Sequence, residues 1–191
     1  SEVAKLTGAI NTIVNRDGKL FGTSTDGAGF FKSLKHFKVK GSAITVIGAG
    51  GAARSIIAEA AVQGAGQITV YNRTYKPELF ADYPGNIVFK PLSDLTELIG
   101  DLLVNTTSLG MDGVSLPIAM ALQLPKDMLV ADVIYQPIET PLLAYAKAQG
   151  NPTVNGLGML LYQAAESFKL WTGHEMPTDI ILKKLEEKIY G

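Results

Sequence analysis

Two short stretches hold residue types that chemistry needs. In GTSTDG (22–27) a carboxylate, Asp26, sits between hydroxyls and glycines, where it can accept from polar ligand groups or pair with a cation. Further on, ITVIGAGGAARS (44–55) carries glycines at 48 and 50 and a small residue at Ala53. That spacing suits a tight turn at Gly48, close approach of backbone to a pyrophosphate at Gly50, and close packing of helix on strand at Ala53. The helix that follows would present free N–H groups to phosphate oxygens.

Such a loop works only between a strand and a helix, and the flanking pattern supplies both. Residues 44–48 read as a strand, 52–65 as an alanine- and isoleucine-rich helix, and 67–72 as a second strand, together a βαβ unit. Strands are also expected at 87–91, 102–108 and 129–135, the last two as apolar runs buried on both faces. Helices are expected at 93–100, opening on a serine cap, and at 140–150, stopping at glycine. The alternation predicts an α/β fold, a Rossmann-like doubly wound parallel sheet. A hairpin around Arg16-Asp17-Gly18 precedes it, and two helices, 155–173 and 177–191, follow it.

The segment after the second strand bears on the choice of dinucleotide. An acid there would accept from a ribose 2′-hydroxyl, whereas a 2′-phosphate needs positive charge. The sequence has Asn72-Arg73-Thr74 and then Lys76, with no acid. NADP is therefore preferred, with Arg73 pairing to the phosphate and Asn72 and Thr74 donating to its oxygens. A solvated arginine at a strand end is the plainer alternative.

Composition narrows the remaining classes. The 191 residues are 47% hydrophobic and 18% charged, enough apolar material for a buried core in one or two domains. A net charge of −1 makes no electrostatic case for nucleic acid or an anionic membrane as partner. With no cysteine, disulfides, thiolate nucleophiles and cysteine-ligated metals are excluded, which favours a cytoplasmic setting. No apolar run approaches the ~20 residues that span a bilayer. Because the chain starts on Ser1 rather than Met, it reads as a fragment or a processed product.

The motifs GAINTIV (8–14), GTSTDGAGF (22–30), VIGAGGAARS (46–55), YNRT (71–74), NTTSLGM (105–111), ADVIYQPIETPLL (131–143) and NGLGMLLYQAAESFKLWTG (155–173) occur in one order along nearly the whole chain. In that order they resemble the shikimate dehydrogenases. The resemblance implies reversible NADPH-dependent reduction of 3-dehydroshikimate to shikimate, a step of aromatic amino-acid biosynthesis. It implies that Asn11 bonds substrate hydroxyls, that Asp26 is the carboxylate paired with a catalytic lysine, and that Gln163 and Tyr135 lie at the substrate. Gly48, Ala49, Gly50, Gly51 and Ala52 would cradle pyrophosphate, and Asn72, Arg73 and Thr74 would hold the 2′-phosphate. Thr106, Ser108 and Met111 would line the next loop, with Gly158 and Met159 against the nicotinamide.

The pattern departs from the family in two places. Ser24 stands where the family commonly has asparagine, and nothing matches the family's N-terminal substrate domain with its serine-rich motif and lysine; Lys5 is not in the place of that lysine. The resulting expectation is a remnant of substrate domain and linker over 1–25, an NADP-binding domain over 26–154 and closing helices over 155–191. Such a chain would bind cofactor and turn over weakly, and apolar surface left on the hairpin and closing helices would favour self-association.

Each residue also has a plainer reading. Asp26 would cap a helix beginning near Gly27, Asn11 would satisfy hairpin backbone and Gln163 would face solvent. Tyr135 would be a core aromatic at a strand end. A quinate or shikimate dehydrogenase using NAD, and a non-catalytic dinucleotide-binding regulatory module, are the competing functions.

Overall fold

The computed structural model describes all 191 residues. In chain order the elements are α1 (Glu2–Thr7), β1 (Thr12–Arg16), β2 (Lys19–Thr23), α2 (Asp26–Ser33), β3 (Ala43–Ile47), α3 (Gly51–Val62), β4 (Gln67–Asn72) and β5 (Ile87–Pro91). β6 (Leu102–Asn105), β7 (Leu129–Asp132), α4 (Pro141–Ala148), β8 (Thr153–Val154), α5 (Leu157–Thr172) and α6 (Thr178–Tyr190) complete the chain. Six strands form one parallel sheet in the order β5-β4-β3-β6-β7-β8. The chain runs outward from β3 to β5, then returns to place β6 on the other side of β3. That reversal opens a crevice at the C-terminal ends of β3 and β6, the place where ligands bind in open α/β sheets.

The strands are apolar on both faces because both faces are covered. Ile44, Val46, Leu102, Val104 and Ala131 point into a core made with α2 and α3, including Phe30, Ala53, Ile56 and Ile57. The alternate positions Ile47, Leu103 and Val130 meet Leu142, Leu143 and Ala146 of α4 on the opposite face. The predicted Rossmann-like fold is thus observed, with the hairpin β1–β2 and the helices α5 and α6 outside the sheet. The hairpin turns at Asp17 and Gly18, both at positive φ, the backbone that a two-residue turn between twisted strands requires.

Two local expectations are corrected. Residues 93–100 are not a helix; only a 3-10 turn forms, at Leu92–Asp94. The Ser93 hydroxyl bonds the Asp94 carboxylate instead of capping backbone N–H groups, and Leu95 and Leu98 are drawn separately into the α4-side core. The short helix α1 was not expected at all: Ser1 caps it through Ala4 N–H, and Gly8 ends it in the left-handed conformation.

Helix α2 lies against α3 and α5 with backbone touching backbone. A Cβ on Gly27 would collide with the Ser55 carbonyl oxygen of α3, and one on Gly29 with the Gln163 backbone nitrogen of α5. A Cβ on Gly158 of α5 would come within 2.7 Å of the Ser33 Cβ. Outside this packed body the hairpin exposes Ile13 and Leu20 on one face and Phe21 on the other, and exposed Trp171 at the end of α5 reaches the Ile13 carbonyl. No helix is long and apolar enough to cross a membrane.

Gly29→Ala should therefore destabilise the fold by about 1–3 kcal/mol, the usual cost of forcing extra volume into a filled core. Chemical denaturation monitored by circular dichroism would measure it.

Candidate active site

The crevice is built from loops that leave β3, β4, β6 and β7 at one edge of the sheet. Gly48, directly after β3, has φ +108° and no room for a side chain, since a Cβ would strike Thr106 Oγ1. The Thr106 hydroxyl in turn donates to the Ile47 carbonyl at 2.6 Å, locking the β3 and β6 loops together. Gly50 and Gly51 are different: a Cβ on either would meet no protein atom within 4 Å. Gly50 caps α3 without a side-chain bond, and no acid occupies the first turn. The first N–H groups of α3 thus face open space under positive partial charge, which fits a phosphate group.

Asn72 and Arg73, at the end of β4, line a cavity of about 220 Å³ with Gly48, Tyr71, Thr107 and Ser108. Asn72 Nδ2 donates to the Thr74 carbonyl at 2.9 Å, which shapes the turn and leaves the exposed Arg73 without an ion pair. The predicted loop, strand end and cationic turn therefore converge on one crevice.

A larger cleft of about 940 Å³ continues past the ends of β6 and β7, lined by Thr106, Ser108, Met111, Tyr135 and Tyr190 among others. Tyr135 lies beyond the end of β7 and is 38% exposed, so it is not a core aromatic. Its carbonyl accepts from the Tyr190 hydroxyl at 2.6 Å, which fastens α6 to the cleft wall. Gly158 packs on Ser33 and Met159 on the α3-side core, and neither lines this cleft.

Asp26 opens α2 and does not act as its cap; Thr25 holds that position, without a side-chain capping bond. Asn11 Nδ2 donates to Asp26 Oδ1 at 2.9 Å and to Thr25 Oγ1 at 3.0 Å, while Asn11 Oδ1 accepts from Thr25 N–H at 3.0 Å. The hydroxyls of Thr12 and Thr25 each share a hydrogen bond with Ser167 of α5, at 2.6 and 3.1 Å. Ser167 itself donates to the Gln163 carbonyl. Hairpin, α2 and α5 are thereby joined beneath the carboxylate. Asp26 Oδ2 bonds no group of this chain, and no cation pairs with either oxygen. The Gln163 amide folds back on its own helix, donating to the Leu160 carbonyl at 3.0 Å. Ser24 is buried and bonds Ser55 of α3 at 3.2 Å, tying this turn to α3.

Burial raises the Asp26 pKa above its ordinary 3.8, and the Asn11 amide only partly offsets it. A second acid, Asp132 at the end of β7, is 1% exposed. Burial raises its pKa too, against the opposing bonds from Thr140, Ile134 N–H and Asn105. Sequence reasoning passed over Asp132, Asn105 and Ser167. The one available signal was a charged residue closing the otherwise apolar run LVAD (129–132).

A Rossmann sheet with an open glycine cradle at its switch point and a polar cluster beside it has the architecture of a dinucleotide-binding protein. The family profile described as Shikimate / quinate 5-dehydrogenase matches residues 32–133, and that of the Shikimate 5′-dehydrogenase C-terminal domain matches 156–186. A Streptococcus pneumoniae shikimate dehydrogenase (NADP(+)) is 50% identical, the match covering 98% of this chain and 71% of that protein. Among solved structures, the Listeria monocytogenes shikimate 5-dehydrogenase in complex with shikimate and NAD superposes with a TM-score of 0.88 at 34% identity, over 97% of this chain and 70% of that one. The ligand-free 5-ketofructose reductase of Gluconobacter sp. strain CHM43 gives 0.89 at 36% identity, over 98% and 72%. The chain belongs to the shikimate dehydrogenase family.

Asp26→Asn tests the buried carboxylate by linkage. A raised folded-state pKa means that the native protein binds more protons than the unfolded chain, so this group's contribution falls as pH rises from 3.8 through the folded value. Melting temperatures measured from pH 4 to 7 should show the variant gaining on the parent with rising pH.

Proposed function

We propose that this chain carries the cofactor-binding part, and the Asp26 side of the substrate site, of a reversible NADPH-dependent reduction of 3-dehydroshikimate to shikimate. The observation that carries this reading is the open cradle at Gly50 and Gly51 at the start of α3, with α2, which Asp26 opens, packed directly against that helix. When bound, the cofactor supplies the hydride. Gly50, Gly51 and Ala52 would meet its pyrophosphate, Arg73 with Asn72 and Thr74 its 2′-phosphate, and Met111 and Tyr135 the cleft around its reacting end. Asp26 keeps Oδ2 free to accept from a substrate hydroxyl or a paired lysine ammonium, while Asn11 holds the carboxylate in place. Gln163 reaches substrate once its amide leaves the Leu160 carbonyl. In domain terms, 1–25 belongs with the substrate side, 26–154 binds the dinucleotide and 155–191 closes against both.

A second reading, NAD as cofactor or quinate as substrate, draws on the Listeria relative's complex with NAD and on the quinate in the matching profile's description. Initial rates of the full-length protein with both cofactors and both substrates separate the two. The expectation is a preference for NADP(H) and shikimate, and an NAD preference above about tenfold, ~1.4 kcal/mol, would overturn the assignment of Arg73.

Two substitutions extend the test. Arg73→Ala should raise the KM for NADPH by roughly 10- to 100-fold, the usual worth of hydrogen bonds to a charged group, and leave that for NADH nearly unchanged. Gly50→Ala meets no protein atom and gives up only glycine's preference as a helix cap, so unfolding should shift by no more than about 1 kcal/mol while the KM for either dinucleotide rises.

A further inference from the structure

Two loops wall the large cleft, 106–111 after β6 and 133–138 after β7, and no hydrogen bond between their own side chains joins them directly. They are tied instead through a buried polar network at the strand ends. Asp132 Oδ1 accepts from Asn105 Nδ2 at 3.1 Å and from Ile134 N–H at 3.1 Å; its Oδ2 accepts from Thr140 Oγ1 at 2.7 Å. Asn105 Nδ2 also donates to the Leu109 carbonyl at 3.0 Å, and Asn105 Oδ1 accepts from Thr107 N–H and Thr107 Oγ1 at 3.0 and 2.7 Å. Thr140 accepts from Leu143 N–H as the cap of α4. Asn105 and Thr140 are each 0% exposed.

A carboxylate this deep, with no ion-pair partner, is expensive to bury unless its lone pairs are filled. Asp132 receives a donor from each of three different segments. An ionised carboxylate only accepts, so it fixes the direction of every one of those donors. An asparagine of the same shape keeps an acceptor for Asn105 and Ile134 but turns an N–H toward Thr140. The Thr140 hydroxyl must then accept and lose the partner of its own proton, and the charge that strengthens all three bonds is gone.

We propose that Asp132 is a positioning residue, whose carboxylate sets the spacing of loops 106–111 and 133–138 and so the width of the cleft that takes the dinucleotide's reacting end. This rests on the cofactor reading given above, and Asp132 itself lines no part of the cleft.

The test uses Asp132→Asn, Thr140→Val and Thr140→Ser in the full-length protein, with NADPH binding followed by nucleotide fluorescence and amide hydrogen exchange measured without nucleotide. Asp132→Asn should keep its far-ultraviolet dichroism, raise the Kd for NADPH on the order of tenfold, and speed exchange in both loops. Thr140→Val should do the same to a smaller degree, and Thr140→Ser, which keeps the donor, should restore both readouts. A folded Asp132→Asn variant with parental Kd and parental loop exchange would overturn the proposal. If that variant does not fold, Thr140→Val matching the parent in both readouts, or Thr140→Ser as impaired as Thr140→Val, would overturn it equally. A parent protein that does not bind NADPH would count against the cofactor reading instead, and loop exchange would still decide the role of Asp132.

Discussion

Helix α2 meets both of its neighbours through backbone, at Gly27 against the Ser55 carbonyl and at Gly29 against Gln163 N. Contacts without side chains have no rotamers to readjust, so the spacing of α2 against α3 and α5 is set by backbone. That constraint carries the rest of the site. Asp26 begins α2, the open glycine turn begins α3, and Gln163 sits at the crossing on α5. The Thr12–Ser167–Thr25 hydroxyl chain then attaches the hairpin, and Asn11 with it, to the same body.

The structure uses buried carboxylates in two ways. Asp132 has both oxygens engaged, so its burial produces order in the loops around it. Asp26 is half-buried with one oxygen unclaimed, so part of its desolvation goes uncompensated within the chain. The first is an arrangement that a stable fold tolerates without a ligand. The second leaves an acceptor open to a group from outside the chain.

What could be read from the sequence was local. The βαβ unit announced itself through β-branched runs of strand length and a glycine pattern whose physical demands fall within a dozen residues. Asp26 stood out because its motif is contiguous. Residues 93–100 misled because a serine before a leucine-bearing stretch resembles a capped helix, while the long-range pull of Leu95 and Leu98 into the core is invisible along the chain. The Asn105–Asp132–Thr140 network joins two neighbouring strand ends to a helix cap, contacts that exist only once the register of β6 on β7 is set. The separate roles of Gly48 and Gly50 were equally hidden, since only three-dimensional space tells a glycine crowded by Thr106 from one facing a void.

The end of α5 gives the molecule an optical property. Trp171 is the chain's one tryptophan; it is 59% exposed and its indole N–H donates to the Ile13 carbonyl on the hairpin at 2.9 Å. With a single indole, emission reports one place in the molecule, and its colour depends on water at that corner and on the integrity of the hairpin bond. Anything that settles over Ile13 at that corner would change the water around the ring, so the protein carries its own unlabelled reporter of contact between the hairpin and the end of α5.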